Sequence, residues 1–328
     1  MTVFDEATAV SPDGEGWYDV RLDERFAIFL PDGVSAAVNG GVLVATMLRA
    51  VLDTSPHPHP VATRSPAGAG TGRVTWSTVR LTIIGCSGSF PGPDSPASCY
   101  LLEADGFRLL LDLGNGSVGA LQRYVGLYDI DAVCLSHLHA DHCLDLCAYY
   151  VARTFHPDGP RPPIPVYGPG GAASRMAQAY GLAEPPGMTD AFEFATLAPG
   201  SGRIGPFEVT TAHMNHPVET FGFRLEHAGR SLAYSADTGE SAALVELARE
   251  ADLLLCEASL LDGPDLPRDL HLTARQAALH AAQAGAGRLM LTHLVPWNDP
   301  VRSLEEACGS SFTGPISLAA SGDSLELG

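Results

Sequence analysis

Ser136-His137-Leu138-His139-Ala140-Asp141-His142 follows directly on the apolar run Ala132-Val133-Cys134-Leu135. Three imidazoles and a carboxylate are thereby concentrated at the end of a buried-strand pattern. A strand that ends at Ser136 releases His137 and His139 onto the same side, because alternate residues of an extended chain point the same way. Asp141 and His142 then open a helix. Neutral imidazole and carboxylate are the donors that divalent zinc, manganese or iron accept, and this cluster exceeds what one catalytic ion takes while keeping a position open for water. The spacing therefore points to two metal ions.

Further ligands are expected at other strand ends, where a rigid scaffold delivers side chains to one edge. His216 lies in His213-Met214-Asn215-His216-Pro217, between two strand-like stretches. Asp237 follows the apolar run Leu232-Ala233-Tyr234, and His293 closes Leu289-Met290-Leu291-Thr292-His293. Each alone reads as a turn residue or a satisfied histidine, but with the first cluster they form one constellation.

The rest of the chain bounds what that site can serve. A length of 328 residues with 45% hydrophobic content allows one large core and a small appendage. The amino terminus lacks a basic segment followed by an apolar core, and no apolar run reaches the length of a membrane span, so a cytoplasmic protein without a membrane partner is expected. Seven cysteines without paired spacing fit a reducing compartment. Cys134, Cys143 and Cys147 near the motif read as small buried hydrophobes. The net charge of −19 argues against a polyanion as general partner. A small anionic substrate escapes that objection.

Residues 55–77 are rich in proline and glycine and read as a linker in which His57 and His59 are inert. Beyond it, strand-like stretches (79–84, 99–103, 108–111, 132–135, 207–212, 221–225, 231–234, 253–256, 289–291) mix with helical ones (118–124, 142–153, 173–180, 242–248, 274–284, 301–308). That mixture predicts an α/β fold of two packed sheets with helices outside. Residues 1–54 read as a separate small α+β appendage, with strands at 18–22 and 25–30 and an apolar helix at 41–52 that must bury itself. Within it, Val38-Asn39-Gly40-Gly41-Val42-Leu43-Val44-Ala45 with Leu48-Arg49-Ala50 resembles the first strand and central helix of the hotdog fold of acyl-CoA thioesterases. Too little of that fold is represented to imply thioesterase activity.

From residue 79 onward the motif order resembles the metallo-β-lactamase superfamily and, within it, the ribonuclease Z-like hydrolases. Gly85-Cys86-Ser87-Gly88-Ser89 is similar to the turn after the family's opening strand, and Leu111-Asp112-Leu113-Gly114 to its second strand. The resemblance implies a four-layer αββα domain over residues 78–328. It also implies that His137, His139 and His216 hold one metal, that Asp141, His142 and His293 hold the other, and that Asp237 bridges them. Zinc is the first expectation, with manganese or iron also suited to these donors. Cys256-Glu257-Ala258-Ser259 and His271-Leu272-Thr273-Ala274 resemble elements of the phosphodiesterase branch. There Glu257 would orient His271, His271 would protonate the leaving oxygen, and Asp141 would take a proton from the attacking water. As a helix-entry residue before Thr273, His271 also has a plain capping context.

Ribonuclease Z needs a long basic arm to grip transfer RNA. Residues 181–206, where it would be inserted, are few and carry Glu184, Asp190 and Glu193 against Arg203, so tRNA is not the expected partner. Closer still is the resemblance to compact actinobacterial cyclic-nucleotide phosphodiesterases, carried by Gly92-Pro93-Asp94-Ser95-Pro96-Ala97-Ser98, His216-Pro217, Leu244-Val245-Glu246-Leu247-Ala248-Arg249 and Asp269-Leu270-His271-Leu272. It implies hydrolysis of 3′,5′-cyclic AMP, a small anionic phosphodiester, by a homodimer. Ala236 departs from the glycine common before the bridging aspartate. A ribonuclease Z-like or short-RNA nuclease, another hydrolase of this fold and a non-catalytic metal-binding scaffold remain as alternatives. Tyr167, Phe155, Trp297 and Asn298 are expected near the rim of the nucleotide pocket.

Overall fold

The apolar stretches of the carboxy-terminal region are continuous because their strands bury both faces. The computed structural model describes residues 8–12, 18–22 and 78–327. The chain divides into two units, Met1–Val74 and Thr75–Gly328. In the first, Thr8–Pro12 (β1) pairs antiparallel with Tyr18–Leu22 (β2). The predicted strand at 25–30, the helix at 41–52, the hotdog-like run and the linker histidines lie outside the described residues.

The second unit holds two seven-stranded sheets. The first contains Val79–Gly85 (β3), Cys99–Ala104 (β4), Phe107–Leu111 (β5), Ala132–Cys134 (β6), Ile164–Gly168 (β7), Phe192–Thr196 (β8) and Ser324–Leu327 (β16), in the order β16-β3-β4-β5-β6-β7-β8. The second contains Gly200–Ile204 (β9), Phe207–His213 (β10), Phe221–His227 (β11), Arg230–Tyr234 (β12), Leu253–Glu257 (β13), Leu289–Thr292 (β14) and Ile316–Leu318 (β15), in the order β15-β14-β13-β12-β11-β10-β9. In each sheet an antiparallel half joins a parallel half, at β5–β6 and at β12–β13.

Alternation along the strands assigns the layers. Leu81, Ile83, Leu109, Leu111 and Cys134 meet Phe207, Phe223, Leu232 and Leu255 between the sheets. Ile84, Leu110, Val133 and Leu135 face the other way, toward helices Ser117–Leu121 (α1), Ala140–Cys143 (α2), Leu146–Thr154 (α3) and Ala172–Tyr180 (α4). Ala233, Leu254 and Leu291 likewise face Ala242–Leu247 (α5), Ala274–Ala284 (α6) and Pro300–Cys308 (α7). The result is the expected αββα sandwich.

The helix predicted over 142–153 is two helices. The Asp145 N–H bonds to the Leu113 carbonyl rather than back along the helix, and its carboxylate accepts the Val118 N–H at 2.8 Å, so the chain breaks between α2 and α3. Residues 181–206 form no protruding arm. They hold β8 and β9, the edge strands of the two sheets, and so carry the chain from one sheet to the other. The chain has no helix among the described residues long and apolar enough to cross a membrane.

Candidate metal centre and catalytic site

The parallel strands of both sheets end at one rim, and the polar residues converge there. His137 lies past the end of β6 and His139 caps α2 in extended conformation, which places their Nε2 and Nδ1 atoms 3.0 Å apart. His216, from the loop between β10 and β11, brings its Nε2 to 3.3 Å from His139 Nδ1. On the other side, His142 Nε2 and His293 Nε2 are 3.1 Å apart, and Asp141 Oδ2 is 3.1 Å from His293 Nε2. Asp237 stands between, with Oδ1 3.2 Å from His142 Nε2 and 3.4 Å from His293 Nε2, and with Oδ2 3.6 Å from His137 Nε2. Two groups that could hold a metal result, His137/His139/His216/Asp237 and Asp141/His142/His293/Asp237, sharing the aspartate.

Hydrogen bonds behind the rings fix their tautomers, assigned here from the network. Asp112 accepts from His142 Nδ1 at 2.8 Å, and the Leu270 carbonyl accepts from His216 Nδ1 at 2.8 Å. Ser259 Oγ donates to Glu257 and therefore accepts from His293 Nδ1, at 2.7 Å. Ser136 Oγ donates to Asp112 and accepts from His137 Nδ1 at 3.0 Å. Each Nε2 is then a lone pair turned into the site, where lone pairs face one another at hydrogen-bond distance with no proton between them. The Asp237 Oδ1 is buried without a hydrogen-bond partner. Converging lone pairs and an orphaned buried carboxylate oxygen fit a divalent cation.

Charge leads to the same reading. Burial pushes His137, His139 and His216 down, toward the neutral form that ligates. Burial opposes ionisation of Asp237, but the imidazoles of His142 and His293 outweigh it and hold the carboxyl well below its usual range. Burial likewise opposes ionisation of Asp141, but the adjoining imidazoles of His142 and His293 prevail and lower it. Burial disfavours charge on His142, yet the Asp237 and Asp112 carboxylates pull it upward. The buried carboxylates thus draw positive charge into the cluster, which a bound cation would supply while leaving the imidazole neutral.

A second pair borders the centre. Glu257, at the end of β13 and fully buried, accepts His271 Nδ1–H at 2.9 Å and the Thr238 N–H at 2.7 Å. Burial works against charge on His271, but Glu257 more than offsets it and the pKa is pushed up to about 9. The capping context also holds: Thr273 and Gln276 form a capping box at the start of α6, with His271 two residues ahead.

All nine residues singled out from the sequence come together at this rim. Sequence reasoning missed the layer behind them. Asp112, read only as a strand-end aspartate, has φ +60 and accepts from Ser136 N and Oγ, Tyr234 Oη and His142. Two glycines are part of the same support. A Cβ on Gly88 would lie 2.2 Å from the His293 carbonyl oxygen, and one on Gly114 2.0 Å from that of Asp141. None of the cysteine sulfurs joins either cluster among the described residues.

The four residues expected at a nucleotide rim are not among those that line the cavity beside the site. A cavity of about 410 Å³ opens beside His139, lined by Leu138, Arg175, Val218 and Glu219 with Pro169 and Gly170. Tyr167 instead packs on the intersheet core, and Phe155 lies edge-on to Tyr150 at the end of α3. Trp297 is 75% exposed against Phe90, and Asn298 donates to the Ser259 carbonyl.

Known proteins are similar to this chain. Residues 108–294 match the family described as the beta-lactamase superfamily domain. The uncharacterized protein ML1173 of Mycobacterium leprae is 43% identical over 264 residues, 79% of this chain and 92% of the relative. Ribonuclease Z of Myxococcus xanthus is 29% identical over 307 residues, 76% of this chain and 98% of the relative. The crystal structure of the metallo-β-lactamase fold protein YhfI from Bacillus subtilis superposes with a TM-score of 0.68 at 29% identity, over 76% of this chain and 99% of that one. The chain belongs to the β-lactamase superfamily.

Proposed function

We propose that the protein is a dinuclear metal-dependent phosphodiesterase that opens 3′,5′-cyclic nucleotides, cyclic AMP foremost, to 5′-monophosphates. The observation that carries the reading is the Glu257–His271 pair bordering the two ligand groups. A pair of divalent cations there would acidify the attacking water and neutralise the phosphoryl oxygens. Asp141 takes the proton that the water loses as its oxygen bonds to phosphorus. The bond from phosphorus to the 3′ oxygen breaks, and His271, held through Nδ1 by Glu257, gives its Nε2 proton to that oxygen. Carbonyl hydrolysis has less need of a second acid placed across the site.

Substrate size is argued from the chain between α4 and β10. Residues 181–206 hold the two edge strands and carry Glu184, Asp190 and Glu193 against Arg203, a poor basis for gripping a folded RNA. A second reading, ribonuclease Z-like processing of RNA ends, is favoured by the relatives of that name. Cyclic AMP and precursor tRNA offered in parallel to the zinc- or manganese-loaded protein separate the two. Turnover of cyclic AMP without tRNA cleavage supports the proposal. Cleavage of tRNA with no turnover of cyclic AMP overturns it in favour of the nuclease.

A further inference from the structure

All 19 basic residues of this acidic chain are arginines, and those near carboxylates are mostly engaged, as Arg108 is with Glu103 and Arg224 with Glu226. Arg175 differs. It projects from α4 as an exposed side chain, lines the cavity beside His139, and has no ion-pair or side-chain hydrogen-bond partner among the described residues. Part of the same lining is held in place, because the Gly170 N–H donates to Glu219 Oε2 at 2.9 Å and so ties the loop after β7 to the loop that carries His216. Leu138 and Val218 add apolar surface. At about 410 Å³ the space falls at the small end of the roughly 300–1,000 Å³ common for small-molecule sites, which suits one nucleoside and no more.

We infer that this cavity is the subsite for the nucleoside half of the substrate, with Arg175 as its substrate-binding cation. His139 belongs both to the cavity wall and to the first ligand group, so a phosphoryl group held there directs its organic arm into the cavity. A guanidinium stacks on planar rings and donates to ring nitrogens and ribose oxygens in a fixed fork. The aliphatic walls accept the flat faces of a base. The inference rests on the phosphodiesterase reading for its substrate class.

The test is calorimetric titration of the zinc-loaded full chain with 5′-AMP and, separately, with inorganic phosphate, which lacks the nucleoside. Arg175→Ala is expected to weaken 5′-AMP by about tenfold or more and to leave phosphate unchanged. Val218→Trp, which fills the cavity from a partly exposed position without altering charge, is expected to weaken 5′-AMP alone as well. Wild-type affinity for 5′-AMP in both variants overturns the inference, and so does an equal loss for phosphate in Arg175→Ala. A protein that binds 5′-AMP through Arg175 yet leaves cyclic AMP intact would sink the phosphodiesterase reading and keep the subsite. Cyclic AMP turnover with an indifferent Arg175 would do the reverse.

Discussion

Asp112 touches no substrate in this account, yet Asp112→Asn should disable the metal centre. The carboxylate is fully buried and receives four hydrogen bonds, one on Oδ1 from Ser136 N at 2.7 Å and three on Oδ2, from Ser136 Oγ at 2.8 Å, Tyr234 Oη at 2.7 Å and His142 Nδ1 at 2.8 Å. Asparagine has the same shape but only one acceptor end. Turned to keep the three donors, it sets its own N–H₂ against the Ser136 N–H, leaving at least one buried donor unpaired at a cost of about 1–3 kcal/mol. The Asp112→Ala change strips all four and threatens most of a domain's stability of roughly 5–15 kcal/mol, so the amide is the informative variant. With the anion gone, His142 loses both its fixed tautomer and part of its basicity, and metal affinity should fall by about 10- to 100-fold. Competition with a chromophoric zinc chelator measures the affinity, and urea unfolding of the metal-free protein measures the stability. Zinc affinity within about twofold of wild type, alongside the expected destabilisation, would refute the positioning role.

Other outcomes follow from the same geometry. His271→Ala should keep its metal content and lose cyclic AMP turnover by about 10²- to 10⁴-fold, and steady-state rates near wild type would remove it as the acid. In Gly88→Ala, a Cβ 2.2 Å from the His293 carbonyl must displace that residue; metal content should drop and stability fall by about 1–3 kcal/mol, whereas an unchanged melting curve with full metal would show that the backbone yields. Chelation of bound metal should lower the melting temperature by roughly 5–10 °C, since a ligand at a hundred times its Kd contributes about 2.7 kcal/mol; a melt insensitive to chelator contradicts it. Ala236 is fully buried at φ +50, so Ala236→Val should destabilise by about 2 kcal/mol in denaturant melts, and a neutral result would mean that the turn relaxes.

The candidate ligand residues were legible because so dense a set of imidazoles and carboxylates is costly to place at buried strand ends without a cation to hold it there. His137, His139, Asp141 and His142 sit in one short stretch, Asp237 and His293 each follow an apolar run, and His216 lies between two strand-like stretches. Their supports were not legible, since Asp112 and Ser259 are ordinary at a strand end, and only the third dimension sets them behind His142 and His293. The Leu270 carbonyl behind His216 leaves no side-chain signal at all. Central strands announced themselves by burying both faces. The edge strands β9 and β15, Gly-Ser-Gly-Arg-Ile and Ile-Ser-Leu, are glycine-rich in the first case and only three residues long in the second, too little pattern to signal a strand. Where local pattern and tertiary bonding disagreed, at Asp145, a contact with Leu113 ended a helix that periodicity would have continued.

The lining of the cavity beside His139 was not legible for a related reason. Exposed aromatics such as Trp297 look like base-binding residues in a linear reading, but the cavity beside His139 is lined by Leu138, Arg175, Val218 and Glu219, which only the fold brings together.

The central claim is that two ligand groups sharing Asp237 hold two ions. Metal content per chain, measured by mass spectrometry after saturation with zinc and removal of free ion, tests it most directly. Two ions per chain in the wild type, and a loss from both groups in Asp237→Ala, is the expected result. A single ion in the wild type, or a full complement in Asp237→Ala, would contradict the shared-carboxylate centre.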